Sequence, residues 1–432
     1  MQTFTSYLFL YLGRIYGENN PIVGPILGIA IGAAIGGYVD DFFATVLGAY
    51  YFNKILKAYG ITAMHCFRVE FTWEEIKPLW IYSLKTSLPV FITGPINYAS
   101  FLITVSYVPQ YTTLMFLSIV GGSIGDVMGW FGGAGITALV SESFMNEKKM
   151  LTQYYIGQEG RFNTFLIGFF APLILILIRV MPIAYVALNM AQYVIATMYI
   201  FPRLVRFCIE RYFGIPGSVM YGANKPEFGI VMGIIHTILD FIVKYCYLVV
   251  FRLPLQLGLE GTIYLLEWGH LPLAITVHAI LYTYVHKKII KIKIPWGQIL
   301  LGFILPAAIT YFTIYFLVDM IFFPLNARYG FFVALGPGIL AIVLCLFFVY
   351  MPLTALLGAW DPTNLDEFRK AAIMSGPSKF IVIPLYRVCA KFCSISRLHG
   401  KFAMDTQKVV EHARELLIIK QKNREELKER LA

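Results

Sequence analysis

Apolar runs of membrane-crossing length alternate along this chain with short polar stretches. A spanning helix needs about 20 mostly apolar residues. Nine stretches meet that measure: 22–52, 79–105, 112–140, 162–178, 183–201, 228–251, 261–283, 297–322 and 329–356. A tenth, Thr3 to Tyr16, is shorter. In lipid a helix satisfies its own backbone hydrogen bonds, which an irregular strand cannot do. The pattern therefore predicts an all-α fold, a polytopic integral membrane helix bundle of nine full spans plus one partial N-terminal span. The stretch 22–52 would run about 46 Å at 1.5 Å per residue, so it must tilt or protrude.

The polar stretches predict elements of their own. Residues 53–78 form a linker ending in Trp73-Glu74-Glu75-Ile76-Lys77-Pro78. Residues 141–161 are expected to lie along the membrane surface as a short amphipathic helix. In 378–398, Lys379, Arg387, Lys391, Arg397 and Pro384 interrupt an apolar run, which predicts an interfacial helix rather than a span. In 404–431, Val409, Val410, Ala413, Leu416, Leu417 and Leu427 sit among many charges, as in a solvated amphipathic helix suited to pairing.

Composition narrows the class further. Of 432 residues, 58% are hydrophobic and 14% charged. That is too little charge for the surface of a soluble protein, and the wrong composition for a disordered chain or a collagen. The net charge of +10 is a matter of topology rather than of nucleic-acid binding. One alternating set of loops carries Lys54, Lys57, Arg68 and Lys77, then Lys148, Lys149 and Arg161, then Arg203, Arg206, Arg211 and Lys225, then Lys287, Lys288, Lys291 and Lys293. The other set has only Arg179, Arg252 and Arg328, with Arg14 at a margin. Cytoplasmic loops collect Lys and Arg. The first set and the basic C-terminal tail are therefore expected in the cytoplasm, on a multi-pass protein of the cell membrane. The cysteines, Cys66, Cys208, Cys246, Cys345, Cys389 and Cys393, form no C-x-x-C pair and no metal-ligand spacing, so no metal and no cofactor are expected.

Two spans carry glycine at every fourth position: Gly24, Gly28, Gly32 and Gly36, and Gly121, Gly125, Gly129 and Gly133. Such faces let helix backbones approach closely, and a smooth face also lets two bundles rock against each other. Asp40 continues the first ladder and is expected to point into protein, with Asp41 about 100° further round the helix.

Ionisable groups deep in spans are costly and mark functional candidates. His236, Asp240 and Lys244 share one helical face. Asp240 is placed to pair with Lys244, and His236 to hydrogen-bond Asp240. Asp126 falls in the glycine-rich stretch, and Lys85 lies within reach of the cytoplasmic surface by snorkelling. Glu267 and Asp319 are expected near the outer face and solvated, and His278 is expected to be a packing residue. No Walker loop, nucleophile elbow, H-E-x-x-H or dinucleotide fingerprint is present, and no enzyme is expected.

Several segments resemble the multidrug/oligosaccharidyl-lipid/polysaccharide exporter superfamily. Gly24-Pro25-Ile26-Leu27-Gly28 through Lys54 looks like the last span of the first lobe. Trp73-Glu74-Glu75-Ile76-Lys77 with Ser87-Leu88-Pro89 resembles the connection into the second lobe. Ser141-Glu142-Ser143, Leu151-Thr152-Gln153-Tyr154-Tyr155 and Arg161 look like the cytoplasmic segment after that lobe's second span. Gly222-Ala223-Asn224-Lys225-Pro226 matches the loop before its fifth span. Gly358-Ala359-Trp360-Asp361, Phe368-Arg369-Lys370 and Ser375-Gly376-Pro377 are similar to archaeal polysaccharide-flippase relatives.

The resemblance implies two six-helix lobes around a central cavity and transport by alternating access. The expected plan is a first-lobe remnant in 1–52, a cytoplasmic linker in 53–78, a second six-helix lobe in 79–283, two appended helices in 284–356 and a cytoplasmic tail in 357–432. About four first-lobe spans are then missing, on the order of 100–150 residues. The chain is expected either to be a fragment or to meet a partner chain that supplies them. The expected partners are membrane lipids and a polyprenyl-linked saccharide. Lys85 and Lys244 would hold its lipid phosphate, since an anion needs positive charge where water is scarce. Asp40, Asp126, His236 and Asp240 would couple ions or neutralise the lysines. A cation-coupled multidrug antiporter and a membrane scaffold with a partner-binding tail are the alternatives.

Overall fold

The computed structural model describes residues 2–57, 62, 72–125, 127, 135–269, 271–404 and 406–431. Every regular element among them is helical. The chain divides into two compact units, Met1–Leu79 with Glu415–Ala432, and Trp80–Arg414.

In the first unit, α1 (Gln2–Asn19) and α2 (Gly24–Leu56) form a hairpin. The turn closes through Gly24 N–H donating to the Asn20 carbonyl at 2.9 Å, with Gly24 at φ +68° and Pro25 starting α2. Glycines from both helices make the contact. A Cβ on Gly28 would strike the carbonyl of Gly13, and one on Gly32 the carbonyl of Phe9. The first ladder is thus a backbone-to-backbone seam, with Gly28, Gly32 and Gly36 buried. Asp40 is half-buried and Asp41 is exposed.

The remaining helices make up the second unit, except for residues 73–79 and 415–431, which belong to the first. They are α3 (Trp73–Tyr107), α4 (Tyr111–Gly125), α5 (Thr137–Met145), α6 (Lys149–Ala187) and, after a tight turn of helix at Ala191–Tyr199, α7 (Ile200–Gly222). Then follow α8 (Glu227–Val250), α9 (Leu253–Trp268), α10 (Leu271–Tyr284), α11 (Gln298–Tyr329) and α12 (Phe331–Leu356). The tail forms α13 (Pro362–Met374), α14 (Lys379–Ile395) and α15 (Gln407–Leu431). The last two match the helices expected at 378–398 and 404–431.

Among the described residues, six helices are long and apolar enough to cross a membrane: Gly24–Leu56, Ile76–Tyr107, Lys149–Ala187, Glu227–Val250, Gln298–Tyr329 and Phe331–Leu356. Their outward faces carry large apolar side chains such as Phe91, Phe312, Phe332 and Phe348, all exposed. Lipid contact accounts for such exposure, which water would disfavour.

Two expected spans take a different form, and a third, 112–140, falls partly outside the described residues: helix is described at Tyr111–Gly125 and again at Thr137–Met145. The stretch 261–283 divides at Gly269 into α9 and α10, and Gly258 adds a non-helical kink inside α9. The stretch 183–201 covers the end of α6 and the short helix Ala191–Tyr199, and α7 follows it. Asn163 accompanies Arg211, Thr164 accompanies Tyr212, and Ile174 packs with Ile200 and Leu204. The contacts step in opposite directions, so α7 runs antiparallel along α6. Arg203 and Arg206, expected in a cytoplasmic loop, therefore lie within a packed helix beside the middle of α6.

Residues 149–161, expected on the membrane surface, are instead the opening turns of α6. Leu151, Thr152, Ile156 and Arg161 are buried there, and the hydroxyls of Ser143 and Thr152 share a hydrogen bond of 2.8 Å. Helix α11 runs parallel to α6. Arg161 meets Gln298, Phe165 meets Phe303, and Arg179 meets Asp319 at 2.8 Å.

Candidate functional site

Spacing by four places His236, Asp240 and Lys244 on one face of α8. Lys244 Nζ lies 2.6 Å from Asp240 Oδ2, the pair expected from the spacing. His236 Nε2 is buried without a hydrogen-bond partner, so the expected bond to Asp240 is not made from that nitrogen.

The three side chains line a cavity of about 410 Å³. Helix α7 contributes Arg203 and Arg206, and α9 contributes Glu267. Asn97, Ser100 and Thr104 of α3 and Ser118 of α4 add neutral polar groups, while Phe101, Tyr111 and Tyr199 add aromatic faces. Arg203 Nε stands 3.4 Å from Glu267 Oε2. Arg206 Nε meets Glu210 Oε1, one turn further along α7, at 2.6 Å.

The second glycine ladder seats this cluster. A Cβ on Gly121 would strike the Ala196 carbonyl, and one on Gly125 would lie 2.6 Å from Cβ of Arg203. A Cβ on Gly122 would crowd Arg203 Nε at 3.3 Å. Bare backbone on α4 therefore lets the arginine-bearing face of α7 come close. Gly129 and Gly133 lie outside the described residues.

Sequence reading missed Arg203, Arg206 and Glu267. The two arginines were counted with the loop cations, because the neighbouring stretch 183–201 is more apolar than α7. Glu267 was expected to be solvated, yet it is 9% exposed and faces Arg203. The available signal was the spacing of Arg203, Arg206 and Glu210 on a helix long enough to cross a membrane, about 35 Å for its residues at 1.5 Å each.

None of the other predicted residues that are described lines this cavity. Lys85 pairs with Glu227 at 3.2 Å, where both side chains are more than half exposed. Asp40 belongs to the other compact unit, and Asp126 lies outside the described residues. His278 Nδ1 is 2.6 Å from the Ala274 carbonyl oxygen, the local bond of a packing histidine. No group of three His, Cys, Asp or Glu among the described residues is placed to hold a metal ion.

The cavity lining presents Arg203, Arg206 and Lys244, paired in turn with the carboxylates of Glu267, Glu210 and Asp240. An anion reaches these cations by displacing their carboxylates, and the low-dielectric walls strengthen each charge contact. Amides, hydroxyls and aromatic faces alongside suit the hydroxyls and apolar faces of a sugar. No family model matches this chain, and comparison with curated proteins and with solved structures finds no match.

Proposed function

We propose that this chain moves a polyprenyl-linked oligosaccharide or polysaccharide precursor across the cytoplasmic membrane by alternating access, as a flippase-like member of the multidrug/oligosaccharidyl-lipid/polysaccharide exporter superfamily. One observation carries the reading. Arg203, Arg206 and Lys244 meet in one cavity inside an apolar helix bundle, next to groups that suit a sugar. Ionisable residues held at such depth mark substrate or ion pathways. In this reading a lipid pyrophosphate displaces Asp240 and Glu267 from their cations and takes up charge-assisted hydrogen bonds. His236 and Asp240 then accept the proton or cation that accompanies the exchange.

The topology belongs to the same reading. Nine crossings alternate, with α7 serving as the crossing expected at 183–201, and the C-terminal tail lies in the cytoplasm. A partner chain supplies the opposite wall of the route.

The test follows a fluorescent polyprenyl-pyrophosphate saccharide in membrane vesicles that contain the chain with its native partners. Lys244→Gln and Arg203→Gln are each expected to slow flipping by roughly tenfold or more, the loss of one charge-assisted contact. Unchanged flipping in both Lys244→Gln and Arg203→Gln would sink the head-group assignment.

A further inference from the structure

A second cavity, of about 370 Å³, lies between α6, α11 and α13. That volume is in the range of sites for small organic molecules. It shares no lining residue with the cavity around His236, Asp240 and Lys244. Its walls are largely aromatic: Phe162, Phe165, Phe303, Trp360 and Phe368. Trp360 and Phe368 stack with centroids 5.0 Å apart, and Phe165 meets Trp360 edge-on at 5.7 Å.

The charges around this cavity are unequal. Arg161 Nη1 and Asp361 Oδ2 are bound at 2.7 Å with both side chains buried, so that pair is neutral in sum. Gln298 Nε2 and Asn364 Nδ2 also donate to Asp361 Oδ2, at 3.1 and 2.9 Å. The remaining Arg161 nitrogens, Nε and Nη2, are buried without partners and offer an incoming anion no surface. Glu367 is the surplus charge. It lines the cavity and accepts a hydrogen bond from the Tyr154 hydroxyl at 3.2 Å. On its own helix Lys370 and Arg369 share Asp366, each at 2.7 Å, on the exposed side.

We propose that this cavity binds a small organic monocation of the quaternary or alkyl ammonium class. Aromatic faces attract such a cation through their quadrupoles, and its apolar shell loses little hydration on entering an apolar site. Glu367 supplies the counter-charge, and the rings of Trp360 and Phe368 supply the faces. An anion entering here would meet Glu367 instead. The site lies off the proposed transport route, so its failure and the failure of that reading are separable.

The experiment is equilibrium dialysis of radiolabelled choline against the full chain in uncharged detergent micelles. Binding is expected to saturate near one choline per chain. Unlabelled choline should compete at least about tenfold better than its uncharged tert-butyl isostere, as charge recognition requires. Glu367→Gln and Phe368→Leu, which keep side-chain volume, should each weaken binding roughly fivefold or more. Asp240→Asn should bind as the parent does. Equal competition by the isostere overturns the proposal. So does parent-like binding by both Glu367→Gln and Phe368→Leu, or absence of saturable binding up to about 10 mM, the edge of measurable affinity.

Discussion

Arg203 on α7 reaches across to Glu267 on α9, Nε to Oε2 3.4 Å, with 25% and 10% of the two side chains exposed. Removing one partner of a buried pair leaves the other charge uncompensated. Arg203→Gln and Glu267→Gln are each expected to cost about 2–3 kcal/mol of stability. The double variant should lose less than the sum, by about 1–2 kcal/mol, because the residues are coupled. Thermal unfolding of the purified chain in detergent measures both, and strict additivity would contradict a working pair.

The Asp240–Lys244 pair is more open to the cavity, and its two halves should act in opposite directions on an anionic cargo. Asp240→Asn frees Lys244, so the KM for the lipid-linked saccharide should fall severalfold, while the ion-coupled turnover falls with it. Lys244→Gln should raise KM by roughly tenfold, the worth of one charge-assisted bond. Flipping rates across a range of substrate concentrations separate these outcomes. Movement of KM in the same direction in both variants would argue that the pair only holds the helix.

Much of this architecture was legible because apolar length and helical period are local properties. Six apolar stretches became helices of spanning length, and the four-residue spacing on α8 correctly paired Asp240 with Lys244. The misplacement of Arg203, Arg206 and Glu267 has a physical cause. A hydropathy reading locates the most apolar window, whereas α7 packs in the bundle with Arg206 paired within its own helix to Glu210 and Arg203 paired to another. Glu267 compensates Arg203 across 64 positions of sequence, and no local window contains both. The opening of α6 was misread for a related reason, since Arg161 belongs inside the bundle only because Gln298 and Asp361 are there to receive it.

That buried contact is the strongest structural polar network described between the helices and the tail. Arg161 Nη1 binds both Asp361 Oδ2 at 2.7 Å and Gln298 Oε1 at 2.8 Å. Asp361 also caps α13, its Oδ1 accepting from Asn364 N–H at 2.9 Å. Asp361→Ala removes the cap and strands the guanidinium, so a loss of about 3–5 kcal/mol is expected. Asp361→Asn keeps the capping oxygen and should cost less. Comparing the two by thermal unfolding distinguishes the ion pair from the cap.

The α1–α2 hairpin depends on absent side chains. Gly32→Leu must push α2 away from the Phe9 carbonyl and should cost about 1–3 kcal/mol, as overpacking does. Gly37 lies on the same helix with nothing within 4 Å of its would-be Cβ. Gly37→Leu should therefore stay within about 0.5 kcal/mol of the parent. Thermal unfolding with limited proteolysis of the hairpin reads the contrast, and equal effects at the two positions would show that the seam is not what limits stability.

Glu367 gives the tail a pH dependence of known sign. Burial, the largest influence on it, holds its carboxyl above the ordinary glutamate value despite the hydrogen bond from Tyr154. The folded state therefore takes up this proton more readily than the unfolded chain does. The resulting stabilisation is complete below the unfolded pKa and is lost as pH rises through the folded one. At neutral pH the carboxylate is charged and incompletely hydrated, so Glu367→Gln should unfold at a slightly higher temperature than the parent. The difference should shrink as pH is lowered through the window just above the ordinary glutamate value, because the parent then carries a neutral group too. Other carboxylates titrate equally in both proteins and cancel. A gap that widens on acidification would mean that Glu367 is stabilised as an anion, reversing the sign assigned to it.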